Sequence, residues 1–340
     1  MTISYSIVDI RGVAASPVIE EVLFENKTLG EGYVTFEEEV KNEVIFTEGA
    51  TTASMQAYTS GAPTSAGSLD LFDVSITPAK YLYYQTFDPN TLRPSRFKSD
   101  MKPGAWETLS NEFEQVVIGG MYSKKIAYDA EYKFWSGITP AQKTAIAALT
   151  AGTANNQIGA DEKTVAAALP TVDVGFNGVV ASMMYNNWNA TSTAGVGTRI
   201  KVDGISISST NIAQEYARVY AAIPATVLAS GLTPYIYAPK SHMQLINIYN
   251  TSATYRDLFS VVGEKYFYSG IEIKFVPVPE NVIIAAPKEH LFWVTDLTSD
   301  VNKFEINKVA LNQDLLFVKH VGTIAAYVAN QAFNVLYCGS

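Results

Sequence analysis

The stretch Pro287–Asn307, PKEHLFWVTDLTSDVNKFEIN, decides the reading of this chain. It runs without a gap from a surface-turn signal (Pro287-Lys288-Glu289) into the apolar run Leu291-Phe292-Trp293-Val294, then past Asp296 and Asp300 into an alternating strand through Phe304-Glu305-Ile306. Two nearby aspartates can serve as a hydrolytic acid pair, but a chain with 33 acidic residues offers such pairs by chance. After a strand, aspartates cap turns, and that is the reading adopted for both.

The segments before and after it are also readable. Asn211 is placed to cap a helix bearing Ile212, Glu215, Tyr216, Val219, Tyr220 and Ile223. Pro224 ends it or begins a new turn, and Gly231 closes a second piece. Pro234–Ala238 is a buried-strand run, and Ser241 caps a helix through His242, Leu245, Ile246 and Tyr249. Ile271-Glu272-Ile273-Lys274-Phe275 alternates as a half-buried strand does. Val282–Ala286 is a further strand, Leu315–Val321 another, and Ala325–Tyr337 is predicted to end the chain in strand, with a helix as the alternative. Strands and helices mix without a β-α-β rhythm, so the class is α+β. Residues 150–210 alternate Ala-, Gly- and Asn-rich pieces and place few elements, with Ile205–Ser208 the candidate strand.

The N-terminal half has a different character. Residues 1–48 are acidic, with Glu37-Glu38-Glu39 the densest run and Tyr33–Phe36 a short strand. Residues 49–69 (GATTASMQAYTSGAPTSAGSL) have loop-tip composition, and strand-like runs at Leu71–Thr77 and Tyr81–Phe87 follow, so the region reads as a long hairpin. Arg93, Arg96, Lys98 and Lys102 then form a basic patch. Opposite charges on arm and patch allow pairing within or between subunits. Exposed pairs contribute on the order of 0–1 kcal/mol each, so they set register more than strength. Beyond Pro103-Gly104, the residues Trp106, Leu109, Phe113, Val116, Val117, Met121, Tyr128, Tyr132 and Trp135 recur at three- and four-residue steps. That spacing predicts one long amphipathic helix with a continuous apolar stripe, interrupted at Gly119-Gly120 and stopped by Gly137. Thr139-Pro140 opens a short Ala-rich helix.

Composition narrows the function classes. The chain has 340 residues, 48% of them hydrophobic and 17% charged, which is enough apolar material for two core-bearing lobes. A net charge of −9 argues against tight duplex binding, which needs clustered cations, but not against a wall around DNA. The single cysteine, Cys338, permits no internal disulfide and fits a reducing cytoplasm. No signal peptide or bilayer-spanning run is visible. His242, His290 and His320 are far apart and match no zinc spacing. There is no nucleophile elbow, P-loop or dinucleotide fingerprint. No catalytic, cofactor-binding or metal-binding residue is therefore assigned. The 20 tyrosines suit either strand-rich cores or surfaces that become interfaces.

The order of parts resembles tailed-phage major capsid proteins of the Hong Kong 97 type: arm, extended hairpin, long helix, mixed lobe, returning strands. The local resemblance lies in Pro234–Lys240 (PYIYAPK) followed by Ser241-His242-Met243, in Ile271–Pro279 followed by Asn281–Pro287, and in Lys288–Leu297 (KEHLFWVTDL) continued by Asp300–Ile306. His290 and Val294 stand where that family's pattern has Asn and Gly. No residues match the cross-linking lysine, asparagine and glutamate of some members, so no isopeptide chemistry is carried over.

The resemblance implies an acidic N-terminal arm (1–48), an extended hairpin loop (49–102), a spine helix of a peripheral domain (103–150), an axial domain (151–286) and returning strands that complete the peripheral domain (287–340). It implies a non-enzymatic shell protein without cofactor, assembled in the host cytoplasm into an icosahedral virion capsid around double-stranded DNA. Its partners are copies of itself in hexameric and pentameric capsomers, with scaffolding, portal and decoration proteins on other chains, DNA held without sequence-specific binding, and no membrane. Glu37, Glu38, Glu39, Tyr83, Arg93, Arg96 and Lys98 are the expected assembly contacts. The alternatives are an encapsulin-like nanocompartment shell and, from a different class, a carbohydrate-binding or adhesion module with tyrosines as its platform.

Overall fold

The computed structural model describes residues 9–10, 26–51, 54–58, 60, 61, 64, 65, 67–88, 122–155, 157–172, 175–185, 199–229, 231–252, 258–296, 303–309 and 315–339. Among them the N-terminal half contributes β1 (Asp9–Ile10), α1 (Lys27–Gly30), β2 (Thr35–Glu37), β3 (Val44–Thr51), β4 (Leu69–Ile76), β5 (Ala79–Phe87), α2 (Ser123–Ser136), α3 (Pro140–Ala148) and α4 (Ala160–Ala168). Then follow α5 (Val179–Met184), β6 (Ile200–Gly204), α6 (Ile212–Ala222), α7 (Ala225–Ala229), β7 (Pro234–Ala238), α8 (Ser241–Ser252), β8 (Phe259–Val262), β9 (Lys265–Tyr268) and β10 (Ile271–Phe275). The chain closes with β11 (Val282–Pro287), β12 (Leu291–Val294), β13 (Lys303–Lys308), β14 (Leu316–Val328) and β15 (Val335–Gly339).

Two mixed sheets and a hairpin result. A seven-stranded sheet runs β6-β15-β11-β7-β10-β9-β8. A six-stranded sheet runs β1-β13-β14-β12-β2, with β5 also paired to β14, and β3 pairs with β4 in a two-stranded sheet. The apolar run of β11 explains the centre of the larger sheet. Val282, Ile284 and Ala286 face one core, with α3, α4 and α5, while Ile283 and Ala285 face the other, with α6 and α8. A strand covered on both faces reads as continuously hydrophobic rather than alternating. β15, from the end of the chain, lies in this sheet between β6 and β11, and its Cys338 thiol is sealed there, where burial pushes its pKa well up.

An aromatic junction binds the two sheets into one body. Phe134 stacks on Trp293 of β12 at 4.4 Å, and Trp135 lies 5.0 Å from Tyr237 of β7. Both α2 residues are fully buried. Trp135 Nε1 donates to Thr28 Oγ1 at 2.8 Å, and Tyr237 OH donates to the Tyr33 carbonyl at 2.7 Å, so the chain around α1 is pinned to the same junction.

Several expectations are corrected. The predicted apolar stripe is described only from Ser123 onward; Trp106 to Met121 lie outside the described residues. Within α2 the buried positions are Ile126, Ala127, Glu131, Phe134, Trp135 and Ser136, whereas Tyr128 and Tyr132 are exposed and stack on each other at 6.2 Å. Gly137 does end the helix, but with extended φ of −67°. Glycine is needed there because a Cβ would sit 2.5 Å from the Lys133 carbonyl oxygen and 2.7 Å from Val172 Cγ2. Thr139 caps α3 as expected, accepting from Gln142 N at 3.3 Å.

Asn211 precedes α6 but its side chain turns backward. It accepts from Ser208 N at 2.7 Å and donates to the Ser206 carbonyl, which ties the preceding turn instead of capping the helix. The strand expected at Ile205–Ser208 lies at Ile200–Gly204, paired in parallel with β15. Leu315–Val321 and the first part of Ala325–Tyr337 belong to one 13-residue strand, β14. Asn330, at φ +47°, then turns the chain through Gln331–Phe333 into β15. Gly322 lies inside β14 and marks a close approach: a Cβ there would meet the Tyr81 hydroxyl at 2.4 Å.

Candidate assembly surface

The β3–β4 hairpin alternates as period 2 requires. Val44, Phe46, Val74 and Ile76 turn toward the body and pack with Phe292, Val294, Ala325, Tyr327 and Ala329. The opposite phase carries Ile45, Leu69 and Leu71, which are 58%, 66% and 63% exposed. Beyond the paired strands Met55 and Tyr58 are fully exposed. The hairpin root is clamped by Glu48, a buried carboxylate that accepts a short hydrogen bond from Tyr327 OH and one of 3.1 Å from Asn330 N. Phe46 stacks on Tyr327 at 4.5 Å. Burial and the adjacent Glu48 both raise the Tyr327 pKa, so its hydroxyl keeps the proton it donates.

A second surface lies on the outward face of β5, β14 and β13. Leu82 and Tyr84 project outward beside Phe317, Lys319 and Val321, with Tyr84 stacked on Phe317 at 5.5 Å. Lys319 Nζ lies 3.6 Å from Glu305 Oε2 across β13–β14. The inward phase of β5 is aromatic as well. Tyr81 OH lies 3.2 Å from His320 Nε2, and Tyr83 sits edge-on to Tyr122 at 5.7 Å.

The expected contact residues fall in different places. Glu37 ends β2, half-buried, with its carbonyl accepting from Thr295 N at 3.0 Å. Glu38 and Glu39 are exposed in the turn that follows, where Glu39 holds φ of +67°. Val40 then returns to the core and its N–H bonds the Thr295 carbonyl, so the acidic run is a tightly held surface turn. Tyr83 is half-buried against α2 rather than outward. Arg93, Arg96 and Lys98 lie outside the described residues, as do Lys102 and Asp300. Leu82, Tyr84, Phe317 and Glu48 were missed. An apolar residue on both phases of the run from Ala79 to Phe87 was the available signal for the first two; Glu48 had none, because its burial is created by β14, almost the whole chain away.

The histidines are held by structure. His242 is buried between Tyr216 OH, at 3.0 Å from Nδ1, and the Glu280 carbonyl, at 2.7 Å from Nε2. Burial lowers its pKa to about 4, and does the same to His320. His290 Nδ1 donates to Asn334 Oδ1 at 2.9 Å and so fixes the turn leading into β12. Among the described residues no three His, Cys, Asp or Glu side chains are grouped to hold a metal, and no helix is long and apolar enough to cross a membrane.

No protein-family model matches the chain, and no curated protein matches it in sequence. Solved structures do match over nearly the full length. A chain of the capsid of a native GTA particle superposes with a TM-score of 0.58 at 9% identity, covering 100% of this chain and 96% of that one. A chain from the satellite phage P4 procapsid, a structure that includes the size determination (Sid) protein, gives 0.52 at 12% identity, covering 95% and 98%. A chain of Microbacterium phage Oxtober96 gives 0.53 at 9% identity, covering 100% and 94%. The chain has the fold of tailed-phage major capsid proteins, the Hong Kong 97 type: α+β, two mixed sheets and a separate two-stranded hairpin.

Proposed function

We propose that this chain is a major capsid protein, which self-assembles into the icosahedral head shell of a tailed bacteriophage and encloses its double-stranded DNA. The observation that supports this most is the full-length correspondence to capsid chains. The unpartnered outward face of the hairpin adds to it. Ile45, Leu69 and Leu71 gain about 1.5–3 kcal/mol each on full burial, and an isolated two-stranded ribbon cannot supply that cover itself. The outward face of β5 and β14, with Leu82, Tyr84 and Phe317, offers a neighbour a matching apolar strip.

In this reading the work is mechanical and needs no cofactor. Lobes built on the seven-stranded sheet pack side by side into hexameric and pentameric capsomers. The hairpin and the acidic run tie neighbouring subunits, with Glu37, Glu38 and Glu39 of one copy facing Arg93, Arg96 and Lys98 of the next and Tyr83 holding the strand beneath. The division into arm 1–48, hairpin 49–102, spine-helix segment 103–150, axial domain 151–286 and returning strands 287–340 is part of the same proposal. Scaffolding, portal and decoration functions belong to other chains, and assembly takes place in the host cytoplasm. A net charge of −9 gives a container wall to which packaged DNA does not adhere.

The test is electron microscopy of the chain expressed with and without its neighbouring structural genes. Closed shells containing DNA are expected from the complete set. Replacing residues 52–68 by a short turn leaves a folded chain that no longer forms them. Shells of normal yield from that deletion refute the hairpin's role, and particles carrying only protein cargo refute the genome container.

A further inference from the structure

The chain contains one Asn-Gly step, Asn177-Gly178, and the fold places it where the end of α2 meets the start of α5. Asparagine is chemically labile when glycine follows it, because glycine puts no side chain between its own amide nitrogen and the asparagine carboxamide. Here the glycine is obligatory. A Cβ at Gly178 would lie 2.6 Å from the Phe134 carbonyl oxygen, 2.7 Å from that of Lys133 and 2.9 Å from Gly137 N. The close approach that seats α5 on the last turn of α2 therefore brings a labile bond with it.

Both reacting groups are tied down in the folded chain. The Gly178 N–H donates to the Gly137 carbonyl at 2.8 Å. Asn177 Oδ1 accepts from Thr139 N at 2.8 Å, which holds the carboxamide against the first turn of α3. Ser182 N donates to the Gly178 carbonyl at 2.9 Å, and Ser182 Oγ to the Asn177 carbonyl at 3.4 Å. Gly178 is buried, as are Val179, Val180 and Ala181 after it. Swinging the Gly178 nitrogen onto Asn177 Cγ breaks the bonds to Gly137 and Thr139 together.

We propose that Asn177-Gly178 is a self-modification site, closed in the folded lobe and opened when the junction of α2 and α5 loosens. In the opened chain the Gly178 amide gives its proton to hydroxide and its nitrogen attacks Asn177 Cγ. A nitrogen–Cγ bond forms and closes a succinimide. The bond from Cγ to the carboxamide nitrogen breaks, and ammonia leaves with a proton from water, which regenerates the hydroxide. Water then adds to one of the two imide carbonyls. Addition at Cγ gives aspartate. Addition at the main-chain carbonyl gives isoaspartate, whose backbone runs through Cβ and is one atom longer. An aspartate at 177 still accepts from Thr139 N, and its charge suits the N-terminal end of α3. Isoaspartate lengthens the chain where the Gly178 N–H must reach Gly137, so α5 cannot reseat. Opening is thereby written into the covalent chain. No neighbouring copy takes part, so the site stands or falls apart from the shell reading.

The test is peptide mapping by mass spectrometry, with chromatographic separation of aspartate from isoaspartate. The full chain is aged in mildly alkaline buffer, folded and in urea. In urea Asn177 is expected to convert ahead of the other asparagines, and in the folded chain at least about tenfold more slowly. Equal rates in the two states, or no conversion in urea, overturn the proposal. Two variants separate the tether from general stability. Thr139 has φ −73° and ψ 150°, values that proline adopts, so Thr139→Pro removes the N–H that holds Oδ1 together with the capping hydroxyl, whereas Thr139→Val removes the hydroxyl alone. Folded Thr139→Pro is expected to convert several times faster than folded Thr139→Val, and at the same rate in urea; matching rates in the folded state overturn the gate. Should Thr139→Pro fail to fold, the native chain still decides. Its conversion must rise with sub-denaturing urea in step with amide exchange of Val179–Met184, and conversion that ignores that exchange overturns the proposal. Asn177→Asp makes the aspartate product directly and is expected to melt near the native chain. If it melts as low as the aged, isoaspartate-bearing chain, the longer backbone is not what keeps α5 out.

Discussion

Removing one hydroxyl at the hairpin root separates local from global stability. Tyr327→Phe keeps the ring that stacks on Phe46 at 4.5 Å but deletes the hydrogen bond to Glu48. The carboxylate then retains only the Asn330 N–H, at 3.1 Å, in a site where it is 9% exposed. Losing a hydrogen bond to a charged group costs about 1.5–3 kcal/mol, and here a buried acceptor is also left short of a partner. Among the described residues the hairpin pairs only with itself and packs on the body along one face, so the loss falls on its attachment and not on the seven-stranded sheet. Amide exchange of Val44–Thr51 and Leu69–Ile76 is then faster by roughly 10- to 150-fold. Exchange of Val282–Pro287, at the centre of the larger sheet, stays as in the native chain. The assay is hydrogen exchange read peptide by peptide at neutral pH. Unchanged exchange in the hairpin shows that the clamp does not hold it, and equal acceleration everywhere shows that the hairpin is not a separate unit. Adding Glu48→Gln completes a double-mutant cycle whose coupling term belongs to this one bond.

Trp135→Ala removes a fully buried indole from the junction of the two sheets, and about 3–5 kcal/mol of unfolding free energy goes with it in urea titration; a loss under about 1 kcal/mol would mean that the ring is not part of that core. Arg199→Met strands the buried Glu162 carboxylate, which Arg199 Nε holds at 3.0 Å, and costs about 3–5 kcal/mol, whereas Arg199→Met with Glu162→Leu recovers most of that; a double variant as unstable as the single one refutes the account. His242 and His320 have folded-state pKa values near 4 against an ordinary 6.5, so the unfolded chain binds more protons between those values and stability falls as pH drops through that window. The shift corresponds to about 3 kcal/mol per histidine once the window is crossed, and His242→Gln flattens the measured pH dependence by about that amount; an unaltered slope shows that the burial is not maintained in solution.

What was legible in the sequence depended on the range of the forces involved. Period-2 and capping signals are local, so β4, β5, β7, β10, β11, β12 and the cap at Thr139 were all readable from their own residues. The division of Leu316–Gly339 into two strands in different sheets was not, since Gly322 and Asn330 look alike as turn formers until Tyr81 and the two sheets are in place. Tyr128 and Tyr132 fit the helical spacing of the apolar stripe but stack in solvent, because the buried face of α2 is defined by Trp293, Tyr237 and Thr28 from three other segments. For the candidate surface, Glu37–Glu39 were readable as exposed charge. The clamp at Glu48 and the outward strip of Leu82, Tyr84 and Phe317 arise only when strands distant in sequence meet.

The lone sulfhydryl has a practical use. Cys338 is the chain's one thiol and lies sealed in β15, between β6 and β11 of the larger sheet. Copies joined edge to edge therefore have no sulfur with which to stitch themselves together, and reductants should leave any particle intact. A thiol-reactive dye reaches that atom only when the lobe itself opens. Labelling speed thus times the loosening of the inner body independently of whatever happens at the β3–β4 ribbon.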